Sequence, residues 1–160
     1  CLKKSFVSKN CQKLYKQEQC FTKFSKPKET KVDNLWNSVR ISVWSRDFSP
    51  SIKKIEDVPY NGEVDNWDKY CRLYNCLTTE EKKQFMTLNK QYYNLLRILD
   101  PAHGVGGRST KELKYDVDNI FLINRLSHSR LDQYLDPIFG TSITKEERET
   151  WFERIKKCLS

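Results

Sequence analysis

The 160-residue chain carries 29 Lys and Arg against 21 Asp and Glu, a formal net charge of +8, with 38% hydrophobic and 31% charged residues and only five glycines and five prolines. This composition excludes a disordered or low-complexity chain, and the longest uninterrupted apolar run, Ile120 to Ile123, falls far short of the roughly 18–20 residues that cross a bilayer. The charge favours an anionic surface such as nucleic acid, membrane headgroups or acidic polysaccharide, although the basic residues are dispersed along the chain instead of forming one arm.

At the front, Val7, Cys11, Leu14 and Phe21 follow helical spacing and predict a helix from about Leu2 to Phe24, followed by a lysine-rich connector around Pro27. Residues 34 to 47 fit two patterns. Val39, Ile41 and Val43 alternate like a strand, whereas Trp36, Val39, Val43 and Trp44 share a helical face, and the helical neighbourhood favours a helix. Pro50, Pro59 and the Asn61-Gly62 pair mark a connector from Phe48 to Gly62, and a short helix is predicted from Asp65 to Leu77. Phe85, Leu88, Tyr92, Leu95, Leu96 and Leu99 then form the stripe of an amphipathic helix from about Glu80 to Leu99, opened by a Thr78/Glu81 capping box and closed before Pro101.

The same opening recurs at Ser109/Glu112 and Thr144/Glu147. The first predicts a long central helix from Ser109 to about Leu135, with Leu113, Val117, Ile120 and Leu131 on one stripe and Phe121, Leu122 and Ile123 widening it. Pro137 and Gly140 break that helix, and the last, Lys145 to Cys158, is expected to bury Trp151, Ile155 and either Cys158 or Leu159. The expected fold is therefore all-α, a disulfide-crosslinked multi-helix bundle of about five to six helices. It forms a single domain over residues 1–160, with two unequal modules, 1–60 and 61–160, as the alternative division.

The disulfide expectation rests on an even set of cysteines, Cys1, Cys11, Cys20, Cys71, Cys76 and Cys158, in a sequence that begins at Cys1, read as a mature secreted protein. Zinc is disfavoured because no C-x2-C pair is present and neither His103 nor His128 stands at ligand spacing, so no metal and no cofactor are expected. In a helix over 65–77, Cys71 and Cys76 would project about 140° apart with their α-carbons beyond the ~7 Å that a disulfide spans. Cys11 and Cys20 would likewise face opposite sides of theirs. Tyr15 stands four residues after Cys11 and Tyr74 three after Cys71, spacings that place each ring beside its leading cysteine, where it is expected to shield an interhelical disulfide.

These two motifs, Cys11-Tyr15-Cys20 and Cys71-Tyr74-Cys76, in a small basic helical chain, resemble the bicycle proteins, secreted salivary effectors of gall-forming aphids. The resemblance implies secretion from insect salivary gland into plant tissue to alter host development, and it supplies no catalytic residue or ligand. Six cysteines allow 15 connectivities, and the favoured one joins the two motifs and ties the termini through Cys1 and Cys158.

Other constellations are weaker. His103 to Thr110, HGVGGRST, precedes a predicted helix and offers Arg108 to an anion, but it lacks the GK[ST] ending and reads foremost as a connector. His103 and His128 raise the acid and base of a ribonuclease without any catalytic signature around either. Trp67 and Trp151 lie on apolar stripes, leaving Trp36 and Trp44 as candidates for an exposed binding surface. The expected function is thus a non-enzymatic secreted effector that binds an unknown host protein or other macromolecule. The alternatives are an odorant-binding-like carrier of a small apolar ligand, a cytokine-like ligand, and a nuclease.

Overall fold

A buried carboxylate organises the first element. The helix α1, Lys31–Asp47, buries Val39, Val43 and Trp44 on one face and ends at Asp47, whose side chain is fully shielded from solvent. The computed structural model describes residues 31–106 and 109–159, and the chain divides into two units, Cys1–Asp33 and Asn34–Ser160. The predicted front helix, with Cys1, Cys11, Tyr15 and Cys20, lies outside the described residues.

After the connector come two single-turn helices, α2 (Trp67–Tyr70) and α3 (Arg72–Asn75), then α4 (Thr79–Asn89) and the short α5 (Tyr93–Leu96). The strand β1 (Leu99–His103) follows, then a single turn α6 (Lys111–Lys114), the strand β2 (Ile120–Asn124), α7 (Arg125–Asp132) and the C-terminal α8 (Lys145–Leu159). β1 and β2 pair antiparallel, from Leu99 opposite Asn124 to His103 opposite Ile120. The all-α expectation is overturned by this sheet: the fold is mostly helical but mixed α and β, and Cys71, Cys76 and Cys158 are free thiols rather than members of a crosslinked bundle.

The error has a physical cause. Every residue of β2 is buried, so its sequence is a continuous apolar run with no period of either kind, and such a run fits a buried strand as well as a buried helix. The predicted helix from Ser109 to Leu135 is in fact α6, β2 and α7. The predicted Glu80–Leu99 helix stops at Asn89, with Leu99 in β1 and Leu88 and Tyr92 exposed. Pro101 sits inside β1, opposite Leu122, which a two-stranded sheet tolerates because one side of each strand needs no ladder bond. The predicted 65–77 helix is interrupted at Cys71, whose backbone is extended at φ −71 and ψ 111.

Two starts are as expected. At α4 the Thr78 hydroxyl accepts from Glu81 N while the Glu81 carboxylate accepts from Thr78 N, and at α8 Thr144 accepts from Glu147 N. α8 buries Phe152 and Ile155 and leaves Trp151 half-buried, with Cys158 exposed. The Phe152 ring faces Phe121 of β2 at 6.4 Å, which fixes α8 against the sheet.

Asp47 accepts from Leu122 N of β2 at 3.0 Å, from Arg46 Nε at 2.6 Å, and contacts Arg72 Nη2 of α3 at 2.9 Å. Arg46 also donates to the carbonyls of Val117 and Ile120. One anion thereby joins α1, α3 and β2. Replacing it with alanine leaves the Leu122 N–H without an acceptor and two guanidiniums without their counter-charge, so Asp47→Ala is expected to lower unfolding free energy by roughly 3–5 kcal/mol. Urea denaturation checks this, as a fall in midpoint at unchanged slope.

Candidate functional site

The strand pair and the helix that follows it gather a cluster of charged groups, Asp100, Arg125, His128 and Asp132. Asn124 closes β2, and its side chain accepts from Ser127 N, so the chain turns directly into α7. Within α7, His128 and Asp132 are four residues apart and therefore share a face. Asp100 projects from β1 towards it. His128 Nδ1 lies 3.6 Å from Asp100 Oδ2, and its Nε2 lies 3.4 Å from Asp132 Oδ2. Both contacts are longer than hydrogen bonds.

Two guanidiniums complete the cluster. Arg125 grips Asp100 with Nε and Nη2 at 3.0 and 3.1 Å, leaving Nη1 without a protein partner among the described residues. Arg148 of α8 reaches Asp132 at 3.7 Å and donates to the Leu131 carbonyl at 2.9 Å. Burial pushes the Asp100 carboxyl upwards, but contact with His128 and Arg125 outweighs it and holds the group below its ordinary range. Asp100 is thus a firmly ionised partner of the imidazole, 22% exposed, whereas Asp132 is 58% exposed at the rim.

Clefts open on both sides. One of about 330 Å³ is bordered by Asp100 and Arg125, and another of about 310 Å³ by Asp132, Arg148 and Lys145. The two carboxylates that flank the imidazole, Asp100 and Asp132, each border one of them. Among the described residues no group of three or more His, Cys, Asp or Glu could hold a metal ion.

The ribonuclease pairing of His103 with His128 is not formed. His103 stands three residues along β1 from Asp100, hence on the opposite face of the strand. It is buried, donates through Nε2 to the Lys114 carbonyl at 2.9 Å, and stacks on Trp36 at 5.4 Å. Trp36 is half-buried and Trp44 is 1% exposed, so Trp44 offers no open surface. Trp67 lies in the core, and Arg108 lies outside the described residues. Sequence reasoning missed Asp100, Arg125 and Asp132. The signals available were Asn124 as an N-cap directly after an apolar run and the His128/Asp132 spacing.

The cysteines serve packing. The Cys71 sulfur accepts from Asn124 N at 3.3 Å and from Asn124 Nδ2 at 3.5 Å, and burial pushes its thiol up. Cys76 donates to the Leu73 carbonyl, and burial together with its neighbour Cys158 raises it to about 12. Tyr74 covers no disulfide; its ring packs on Trp67 at 5.1 Å and on Phe85 at 5.7 Å. Beside them Arg154 binds Glu81 and donates to the Cys76 carbonyl at 2.9 Å. Arg154's hydrogen bonds, against the opposing effect of burial, lower the Glu81 carboxyl to about 2.

The chain matches no family model, no curated protein and no solved structure. No helix among the described residues is long and apolar enough to cross a membrane.

Two outcomes follow from this chemistry. Native alkylation followed by peptide mass spectrometry is expected to label Cys158 readily, with Cys71 and Cys76 reacting only after denaturation. For Glu81, whose carboxyl is lowered in the fold, the stabilisation is complete above its ordinary value of 4.5 and disappears as pH falls towards about 2. Glu81→Gln is therefore expected to cost about 1 kcal/mol at pH 7, after allowance for solvent screening, and nothing at pH 2, as read by thermal unfolding across that range.

Proposed function

We propose that the protein acts on the phosphodiester backbone of nucleic acid, with His128 as the group that moves a proton. The observation that carries this reading is an imidazole between two carboxylates, each of which also meets a guanidinium and borders a cleft. Asp100, anchored by Arg125 and largely shielded, orients the ring from Nδ1. Asp132, at the rim, gives way at Nε2 to an attacking hydroxyl. His128 takes the hydroxyl proton as the new P–O bond forms, and the leaving oxygen departs from the other side of the phosphorus, taking a proton from solvent water. Arg125 Nη1 and the Arg148 guanidinium supply the positive charge that steadies a phosphate. The net charge of +8 draws such a polymer to the surface.

In assigning a reaction the proposal departs from the expectation of a non-enzymatic secreted effector that acts by binding; on it the host macromolecule that the protein engages is nucleic acid. An apolar carrier has less support. A cleft of about 580 Å³ is bordered by Arg46, Asp118, Glu153, Lys156, Lys157 and Leu159, a charged set instead of a lipid pocket.

Incubation of the purified full chain with labelled RNA and single-stranded DNA, in magnesium buffer and in EDTA in parallel, tests the proposal. Cleavage is expected, reduced about 10²–10⁴-fold in His128→Ala and less in Asp132→Asn. Cleavage that persists undiminished in His128→Ala, with the variant folded by circular dichroism, would remove the histidine from the reaction.

A further inference from the structure

The cleft beside Asp100 and Arg125 has an unusual far wall. Tyr60 is 85% exposed, the most exposed large hydrophobic side chain among the described residues, and it stands on a loop with little freedom. Gly62 N donates to the Pro59 carbonyl at 2.8 Å and Glu63 N to the Tyr60 carbonyl at 3.1 Å. Asn61 and Gly62 both have positive φ, 56° and 72°. A Cβ on Gly62 would come within 2.3 Å of the Leu99 carbonyl oxygen, so the loop lies directly against β1 and only glycine fits there. Just beyond it, Val64 N donates to the Arg97 carbonyl at 2.8 Å, and Glu63 bridges to Ile98. The loop thus holds an exposed aromatic ring at the border of the cleft that Asp100 and Arg125 also line.

The remaining walls are suited to a base. Arg40 and Asn61 add hydrogen-bonding groups, and Arg125 is common to this cleft and to the His128 cluster. The volume of about 330 Å³ is at the small end of ligand clefts, which run from roughly 300 Å³ upwards. That suits one nucleoside rather than a lipid or a protein segment.

We infer that this cleft is a nucleobase subsite in which Tyr60 stacks an unpaired base while Arg125 faces the adjoining phosphate, so that the substrate is single-stranded nucleic acid. The inference rests on the proposed action at His128 and gives it a substrate class. Bases in a duplex are already stacked on their neighbours and cannot present a face to Tyr60. An unpaired strand offers each base for stacking, with little regard to sequence.

The test is fluorescence anisotropy with a labelled 12-nucleotide single strand and the matching duplex, at one fixed ionic strength, in the His128→Ala background so that turnover does not intervene. Single strand is expected to bind more tightly than duplex. Tyr60→Ala is expected to weaken single-strand binding by roughly five- to hundredfold, with Tyr60→Trp retaining it and duplex affinity unchanged. Circular dichroism and thermal unfolding confirm that each variant is folded. Unchanged single-strand affinity in Tyr60→Ala, equal affinity for duplex, or no binding of the single strand would each overturn the subsite. The two readings separate cleanly. Tyr60-dependent binding without any cleavage by the parent protein keeps the subsite and removes the catalysis, whereas His128-dependent cleavage indifferent to Tyr60 does the reverse.

Discussion

The Asp47 carboxylate is the constraint on which the architecture turns. An ionised group taken out of water is expensive unless several donors replace its hydration. Here Leu122 N, Arg46 and Arg72 do so, and each comes from a different part of the chain. The arrangement is therefore directional where hydrophobic burial is not: apolar contact would let α1 slide over the sheet, but a single carboxylate meeting a particular N–H of β2 fixes its position. Arg46 strengthens the join by reaching the Val117 and Ile120 carbonyls at the start of the same strand. With β2 fixed, β1 is placed by the ladder and α7 by the Asn124 cap, and those elements carry Asp100, Arg125, His128 and Asp132. The candidate site inherits its geometry from an ion cluster on the opposite end of β2.

Cys71 and Asn124 form the second fixed point. Asn124 caps α7 with its carbonyl oxygen and spends its N–H groups on the Cys71 sulfur, which joins the break between α2 and α3 to the end of β2. This gives a buried thiol a use that needs no oxidation, because the sulfur acts as a weak acceptor for donors that would otherwise be orphaned in the core. Asn89 follows a similar logic, donating to the Phe85 and Ile138 carbonyls while accepting from Arg130. Polar side chains at 0–1% exposure thus hold the turns of this fold where regular ladders are short.

How much of this was legible depended on whether the signal was local. Thr78/Glu81 and Thr144/Glu147 announce helix starts because a cap satisfies backbone donors within one turn. The α1 helix was readable from Trp36, Val39, Val43 and Trp44 once its neighbours were weighed. The sheet was not, since Ile120 to Ile123 is buried on both faces and therefore carries no period, and Pro101 resembles a helix terminator while occupying a strand. Cysteine counting failed for a related reason: an even number is compatible with oxidation, but the count does not register that Cys71 has hydrogen-bond donors aimed at it. The site itself depends on Asp100 meeting His128 across 28 residues of chain, a contact created only by the strand pairing.

Charge placement argues for an external partner at that contact. A purely structural link between β1 and α7 would be complete with Arg125 and Asp100, whose two parallel hydrogen bonds already satisfy the carboxylate's geometry. His128 and Arg148 are superfluous to it. The imidazole adds weak contacts of 3.6 and 3.4 Å, and Arg148, anchored by its hydrogen bond to the Leu131 carbonyl, adds one of 3.7 Å to an aspartate that is more than half exposed. Pairs as long as these contribute little to stability, and the exposed Asp132 is the member that can give way when an anion arrives. A cluster with one tight pair, Arg125 with Asp100, and longer contacts at its Asp132 rim has its rigidity and its adaptability in the places where a phosphate-directed site needs them.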